Sequence, residues 1–284
     1  LGSAPLVVGP MGVGQVVDAA VTLMRRNFGY LLLVGAWGMA ASALISVLAE
    51  TAFGSLAGVD EFSDLVAPER SSGAAIVAGL TSPPYLVLSV LSSLASTLGY
   101  GALLVACGGL IERPHERPTT GQAYSAALRR LLWTVPLGLV MGLGALLFII
   151  PPLGLWVFVG WSVALPVLFI EQRGPLASLG RSRTLVRRSW WHTFGVALVT
   201  LLVMAVVTVV VGALMAAGLA AVAIGGGAES PIALTLIGTL VFSIATAPIL
   251  PAFGAVLLYE LRAELQTTID RILEVDHLYR FFSF

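Results

Sequence analysis

Three histidines and a few short polar clusters are the residues of this chain that could act as a catalyst. The histidines, His115, His192 and His277, lie in three separate segments. No His-Glu-x-x-His pattern, glycine-rich phosphate loop or Gly-x-Ser-x-Gly element accompanies them. Asp18 and Gln15 form a polar helix face, not an acid–base pair. The sequence therefore predicts no catalytic residue, no enzyme, no cofactor and no metal site.

The basic residues are the second group with chemical potential, and all fifteen are arginine. Fourteen fall in four segments: the N-terminal stretch, two connections and the tail. At an interface, each guanidinium attracts anionic lipid headgroups by about 1 kcal/mol. The predicted headgroup and interface residues, including a tryptophan pair, are Arg25, Arg26, Arg129, Arg130, Arg181, Arg187, Arg188, Trp190 and Trp191. The favoured interpretation is that these arginines fix the orientation of the protein and anchor the spans, and a specific lipid or phosphate site is the alternative.

The composition shows what positions these residues. Hydrophobic residues make up 58% of the chain, charged residues make up 11%, and the mean hydropathy is +0.97. About 20 apolar residues cross a bilayer, and six runs approach or exceed that length: residues 28–48, 85–111, 131–150, 154–170, 194–223 and 232–258. Pro151, Pro152 and Leu153 are expected to form the turn between the third and fourth runs. The sequence predicts an all-α membrane protein with six spans.

The distribution of charge predicts the orientation. The four arginine-rich segments share one side of a six-span topology, whereas Arg70 stands alone among acidic residues on the other side. The positive-inside rule places the arginine-rich side, with both termini, in the cytoplasm. The arginine-only, Ala- and Gly-rich composition is typical of a GC-rich genome.

The spans themselves carry no ionisable residue in these six runs, which disfavours ion-coupled transport. The polar residues of the second span, Ser89, Ser92, Ser93 and Ser96, form either a helix-packing face or a cavity wall. Pro248 and Pro251 predict a kink in the sixth span, which also serves either packing or a cavity. Two pairs of small residues have the four-residue spacing that allows close helix packing: Gly138 with Gly142, and Gly212 with Ala216.

An internal repeat organises the spans. Gly14-Gln15 leads through Arg25-Arg26 into span one, Gly121-Gln122 leads through Arg129-Arg130 into span three, and Leu179 leads through Arg187-Arg188 into span five. Apolar residues opposite the arginines predict helices that lie in the membrane interface. The sequence thus predicts three parallel hairpin units, each preceded by a cytoplasmic interfacial amphipathic helix.

The remaining segments are a loop and a tail. Residues 50–84 form an acidic extracytoplasmic loop, and residues 259–284 predict a cytoplasmic amphipathic helix with an aromatic end. The single cysteine, Cys107, lies in an apolar run, so no disulfide is expected. Leu1 is consistent with a processed or altered terminus.

The N-terminal segment resembles the first segment of a known family of membrane proteins. The residues that carry the resemblance are Gly14-Gln15-Val16-Val17-Asp18-Ala19-Ala20, followed by Leu23 and Arg25-Arg26-Asn27-Phe28. This segment is similar to the start of the bacterial membrane family named after the membrane domain of glycerophosphoryl diester phosphodiesterases, although Gln15 and Met24 replace that family's Glu and Tyr. Residues 177–186, followed by Trp191 and Phe194-Gly195, resemble the family's second recurring segment. The resemblance implies a membrane module without the catalytic domain.

These observations favour a non-catalytic membrane protein. We expect an accessory or scaffold subunit, or a lipid-organising protein, whose partners are anionic lipids and other membrane subunits or further copies of itself; nucleic acid is not expected. A transporter or channel for an uncharged or amphiphilic substrate is one alternative. A lipid-modifying membrane enzyme that uses His115 or His192 with a nearby acid is the other.

Overall fold

The computed structural model of the chain describes residues 11–49, 83–113, 116–224 and 231–282. Within these ranges the elements are helical and no strand occurs. A short 3₁₀ helix, Leu146–Ile149, joins α4 to α5. The α-helices are α1 (Val13–Arg26), α2 (Phe28–Ala49), α3 (Pro83–Glu112), α4 (Thr120–Ala145), α5 (Pro151–Gly160), α6 (Ala164–Ile170), α7 (Pro175–Val186), α8 (Trp190–Ile224), α9 (Pro231–Thr246) and α10 (Ile249–Phe282).

Among the described residues, six helical segments are long and apolar enough to cross a membrane, which agrees with the predicted number of spans. They are Phe28–Ala49, Pro83–Glu112, Thr120–Ile149, Pro151–Ile170, Trp190–Gly218 and Leu240–Asp270. The predicted turn at Pro151 was misplaced, because the chain turns through the 3₁₀ helix and Pro151 begins α5. A proline in the first helical turn is favourable, since its missing N–H has no partner there in any case.

The closest helix contact joins α2 and α3 at two glycines. A Cβ atom on Gly38 would collide with the Cα atom of Gly99, so only glycine allows this approach. The Tyr124 hydroxyl of α4 donates to the Val34 carbonyl (2.7 Å) and accepts from the Gly38 N–H (2.8 Å). This hydroxyl therefore bonds to the α2 backbone at the crossing point.

The glycines that were singled out by their four-residue spacing do not form close helix contacts of this kind. A Cβ atom on Gly138, Gly142 or Gly212 would meet no atom within 4 Å. Large neighbouring side chains such as Leu139 and Leu214 are 68% and 69% exposed. Within the described chain these glycines therefore lie on surfaces available to lipid rather than in helix contacts.

The helices α1 and α7 carry the apolar stripes that were expected to enter the membrane interface. In α1, Val16, Ala20 and Leu23 are buried at 0–1% exposure within the common core. In α7, Leu179 and Val186 are buried in the same core. Protein covers these stripes because α1 packs on α8 and α10, and α7 packs on α6 and α10.

The prolines of the last span interrupt it. The helix ends at Thr246 and resumes at Ile249, and the Thr246 hydroxyl bonds back to the Phe242 carbonyl at 2.8 Å. Pro248 and Pro251 are both buried. The predicted kink is thus a helix break packed against protein, and α10 then runs without interruption into the tail.

One end of the bundle gathers the segments that carry the described arginines. The Tyr30 hydroxyl at the start of α2 donates to the Pro118 carbonyl before α4 (2.6 Å). The Tyr259 hydroxyl of α10 donates to the Glu112 carboxylate at the end of α3 (2.6 Å). We call this the arginine-rich end. The acidic loop up to residue 82, the Gly225–Gly227 turn, His115, and the aromatic side chains of the tail lie outside the described residues.

Candidate functional site: an arginine cleft around Glu171

The most polar site of the described chain is built around Glu171, which caps the C-terminal end of α6. Its side chain is only 5% exposed. Three arginines reach it from different elements: Arg173 from the following turn, Arg181 from α7 and Arg262 from α10. We call these four residues the arginine cleft.

The distances separate two direct ion pairs from a looser one. Arg173 Nε lies 2.7 Å from Glu171 Oε2, and Arg262 Nε donates to Glu171 Oε1 at 2.9 Å. Arg181 Nε lies 3.6 Å from Oε2 and is buried without a hydrogen-bond partner among the described residues. A charge can be buried at low cost only when it is paired and hydrogen-bonded. Glu171 meets that condition, whereas Arg181 retains an unused donor.

A distorted turn holds the first two members of the cleft together. Gln172 adopts a φ of +53°, a left-handed conformation that is uncommon for residues other than glycine. This turn brings the side chain of Arg173 back onto Glu171, only two positions before it. Such outliers persist where the surrounding structure fixes them, and they cluster at functional sites.

An aromatic ring positions the Arg262 guanidinium. Its Cζ atom lies 5.2 Å from the ring centre of Tyr259, which is within cation–π range. The Tyr259 hydroxyl is in turn bonded to Glu112. The Tyr259 ring, which Glu112 connects to α3, and the Glu171 carboxylate at the end of α6 together fix the Arg262 guanidinium.

An open cavity of about 540 Å³ adjoins these groups. The cavity is lined by the four residues of the arginine cleft and by Ala263, Leu265, Gln266 and Ile269 of α10. Three guanidinium charges face one carboxylate, which leaves an excess of two positive charges. Two further acids of α10 adjoin the lining residues: Glu264, which accepts a hydrogen bond from the Ser189 hydroxyl, and Asp270, which accepts one from the Gln266 amide at 3.0 Å. The arrangement is suited to an anion with an apolar portion.

A second buried glutamate lies at the same end of the bundle. Glu260 of α10 is 2% exposed and accepts a hydrogen bond from the Met11 backbone N–H. His192 Nδ1 lies 3.8 Å from its Oε2 atom, too far for a hydrogen bond. One helical turn further along α10, the Ser189 hydroxyl donates to Glu264. We call the surroundings of Glu260 the glutamate nook.

Several polar atoms near the nook are buried without a partner among the described residues. They belong to the first turn of α8 and to α10: Trp190 Nε1, His192 Nδ1 and Nε2, Thr193 Oγ1 and Glu260 Oε2. Buried polar groups are normally hydrogen-bonded to protein or ordered water. The nook is therefore the least satisfied polar region described.

Of the predicted headgroup residues, Arg181 alone enters the cleft. Arg130 is half-buried outside the cleft, and Trp190 stacks on Phe194 with ring centres 5.5 Å apart. Trp191 is 78% exposed. The remaining predicted arginines are exposed outside the cleft: Arg25, Arg26, Arg129, Arg187 and Arg188.

The serines of α3 differ in their hydrogen-bond partners, which lie on α2 for Ser92 and on α3 itself for Ser89 and Ser96. Ser92 is buried and bonds to the Ser42 and Ser46 hydroxyls of α2 (2.9 and 2.7 Å). Ser89 and Ser96 bond to carbonyls of their own helix (2.9 and 3.0 Å). None of them lines the cavity beside the arginine cleft.

Sequence reasoning missed the residues that define both sites. Glu171 and Glu260 each follow the end of a predicted span, at residues 170 and 258, and Arg173 and Arg262 were counted only as orientation signals. The sequence feature that could have identified the two glutamates is an acidic residue within an otherwise arginine-rich segment. Its partners were not readable, because Arg262 is 91 positions from Glu171.

Comparison with protein-family models, with curated proteins and with solved structures finds no match to this chain.

Proposed function

We propose that this chain is a non-catalytic integral membrane protein that organises anionic lipid or serves as an accessory or scaffold subunit. Its setting is a bacterial inner membrane, with the arginine-rich end and both termini in the cytoplasm. The observation that carries the proposal is the arginine cleft: an excess of cations beside an open cavity, at the end of otherwise uncharged apolar helices. The resemblance of residues 14–28 to a membrane module without its catalytic domain fits this function.

The proposal is tested by purifying the full chain from native membrane in mild detergent. Co-purified proteins are identified, and the retained lipid is compared with the composition of the bulk membrane. We expect enrichment of anionic lipid, a stoichiometric partner protein, or both. A monodisperse monomer with neither would contradict the proposal.

A lipid-modifying enzyme is a second candidate, because His192 and Glu260 approach within 3.8 Å. An imidazole beside a carboxylate is a common general base. Full function in the native host after replacement of both His115 and His192 would dispose of this candidate. A transporter for an uncharged or amphiphilic substrate has less support, since the Ser89, Ser92 and Ser96 hydroxyls bond to protein and none of these serines lines the cavity beside the arginine cleft.

A further inference from the structure

We propose that the arginine cleft is a binding site for the phosphate group of an anionic amphiphile. In this site Arg173, Arg181 and Arg262 hold the phosphate oxygens, and the apolar wall of α10 holds the adjoining chain. The inference deepens the proposed function and rests on it in one respect: the arginine-rich end must face a leaflet that contains such lipids.

The charge of the cleft identifies the chemical class of the ligand. Guanidinium groups match phosphate oxygens through planar pairs of N–H donors. Glu171 contacts the Nε atoms of Arg173 and Arg262 at hydrogen-bond distance. The Arg173 side chain is 50% exposed, so the rest of its guanidinium group is accessible to a ligand. Arg181 lines the same cavity, and its Nε atom has no hydrogen-bond partner among the described residues, so Arg181 is the least engaged of the three guanidinium groups.

Glu171 has a specific part in this scheme. Its carboxylate holds the guanidinium groups in a fixed array while the cleft is empty, and a phosphate then shares that array. The two anions repel each other, so Glu171 lowers affinity while it preorganises the site.

The apolar residues in the lining distinguish an amphiphile from a free anion. Leu265 and Ile269 lie one helical turn apart on α10 and line the cavity, and Ile269 is 42% exposed. An apolar wall beside a charged one adds affinity only for a ligand with a hydrocarbon portion, through removal of that surface from water.

The experiment uses the full chain in neutral detergent and follows thermal stabilisation during titration with three probes. These are short-chain phosphatidylglycerol, short-chain phosphatidylcholine and inorganic phosphate. We expect stabilisation by phosphatidylglycerol, and at least about tenfold weaker apparent affinity for the other two probes. Equal affinity for phosphatidylglycerol and phosphatidylcholine would overturn the inference. Binding of inorganic phosphate as tight as that of phosphatidylglycerol would overturn the lipid source and identify a soluble phosphate ligand.

Matched variants locate the site. Loss of a charged hydrogen-bond donor typically costs enough for a tenfold loss or more, so Arg262→Gln should weaken phosphatidylglycerol binding about tenfold. Arg173→Gln alters a half-exposed side chain that does not threaten folding, and it should also weaken binding severalfold. Arg117→Gln removes the same charge from an exposed position outside the cleft and should leave affinity unchanged. Equal effects of Arg173→Gln and Arg117→Gln would overturn the assignment.

The Glu171→Gln variant separates a ligand site from a purely structural ion network. A ligand site should bind phosphatidylglycerol severalfold more tightly once the competing carboxylate is gone, provided that gel filtration shows a folded protein. A network without a ligand should show no gain. If anionic lipid co-purifies with the native protein although every cleft variant binds normally, the proposed function stands and this inference fails.

Discussion

Glu171 and Glu260 are both buried at the arginine-rich end of the bundle, yet their surroundings are opposite. Glu171 has three arginines within 3.6 Å and borders an open cavity. Glu260 lies in the contact between α1, α8 and α10, and among the described residues a backbone N–H is its direct hydrogen-bond donor. One acid organises cations around a cavity; the other interrupts an apolar helix contact.

The difference matters because burying an ion is costly unless its pairing is good. The charge of Glu171 should contribute to stability, since without it the three guanidinium groups would repel one another. The charge of Glu260 should oppose stability, since no cation compensates it at hydrogen-bond distance. The same substitution should therefore act in opposite directions at the two positions.

The largest effect is expected for Glu171→Leu. Breaking a buried ion pair costs 3–5 kcal/mol, and the partly exposed arginines place this site at the lower end, so the free energy of unfolding should fall by about 3 kcal/mol. Reversible unfolding in mixed detergent micelles measures it. The matched control is Glu116→Leu, whose carboxylate is 78% exposed and lies 3.8 Å from Arg113.

Exposed pairs contribute about 0–1 kcal/mol, so the control should change little. If Glu171→Leu were as mild as Glu116→Leu, the arginines would not depend on the carboxylate. The contrast between the two buried glutamates would then be lost.

A smaller effect of opposite sign is expected for Glu260→Gln. The amide keeps the shape and an oxygen that accepts the Met11 N–H, while it removes a charge without a bonded cation. Stability should stay constant or rise by up to about 1 kcal/mol. Glu171→Gln, the identical chemical change, should lower stability by about 1–2 kcal/mol in phosphate-free buffer. Thermal unfolding of both variants in one detergent tests the sign, and a loss at both positions would show that the glutamate nook also needs its charge.

The sequence was sufficient to predict the spans, because length and hydropathy of an apolar run are local properties. The sequence repeat also aligned Gln15 with Gln122, and the structure gives the two glutamines the same capping role. Each accepts a hydrogen bond at 2.9 Å from the backbone N–H three positions earlier. Local repeats of this kind are visible without knowledge of the packing.

The sites could not be predicted, because their members meet only when helices pack. Glu171 and Arg262 belong to different spans, and either alone fits the pattern of an interface residue. Packing also decides which glycines matter. Gly38 and Gly99 contact each other across two helices, whereas a Cβ atom on Gly138 or Gly142, which the sequence singled out, would meet no atom within 4 Å.

The smallest predicted effect tests whether the glutamate nook contains ordered water. Thr193 is fully buried, and its hydroxyl has no partner among the described residues. Valine has the same shape, so Thr193→Val should raise the free energy of unfolding by about 1 kcal/mol if no water solvates the hydroxyl. Thermal unfolding in detergent, under the conditions used for the glutamate variants, measures the change.

The matched control is Thr200→Val on the same helix, where the hydroxyl donates to the Val196 carbonyl at 2.8 Å. Loss of that satisfied bond should lower stability by about 1 kcal/mol or less. If Thr193→Val lowers stability as much as the control does, an ordered water or another group must bond to Thr193. The nook would then be a solvated polar site, and Glu260, like Glu171, would owe its burial to partners that satisfy it.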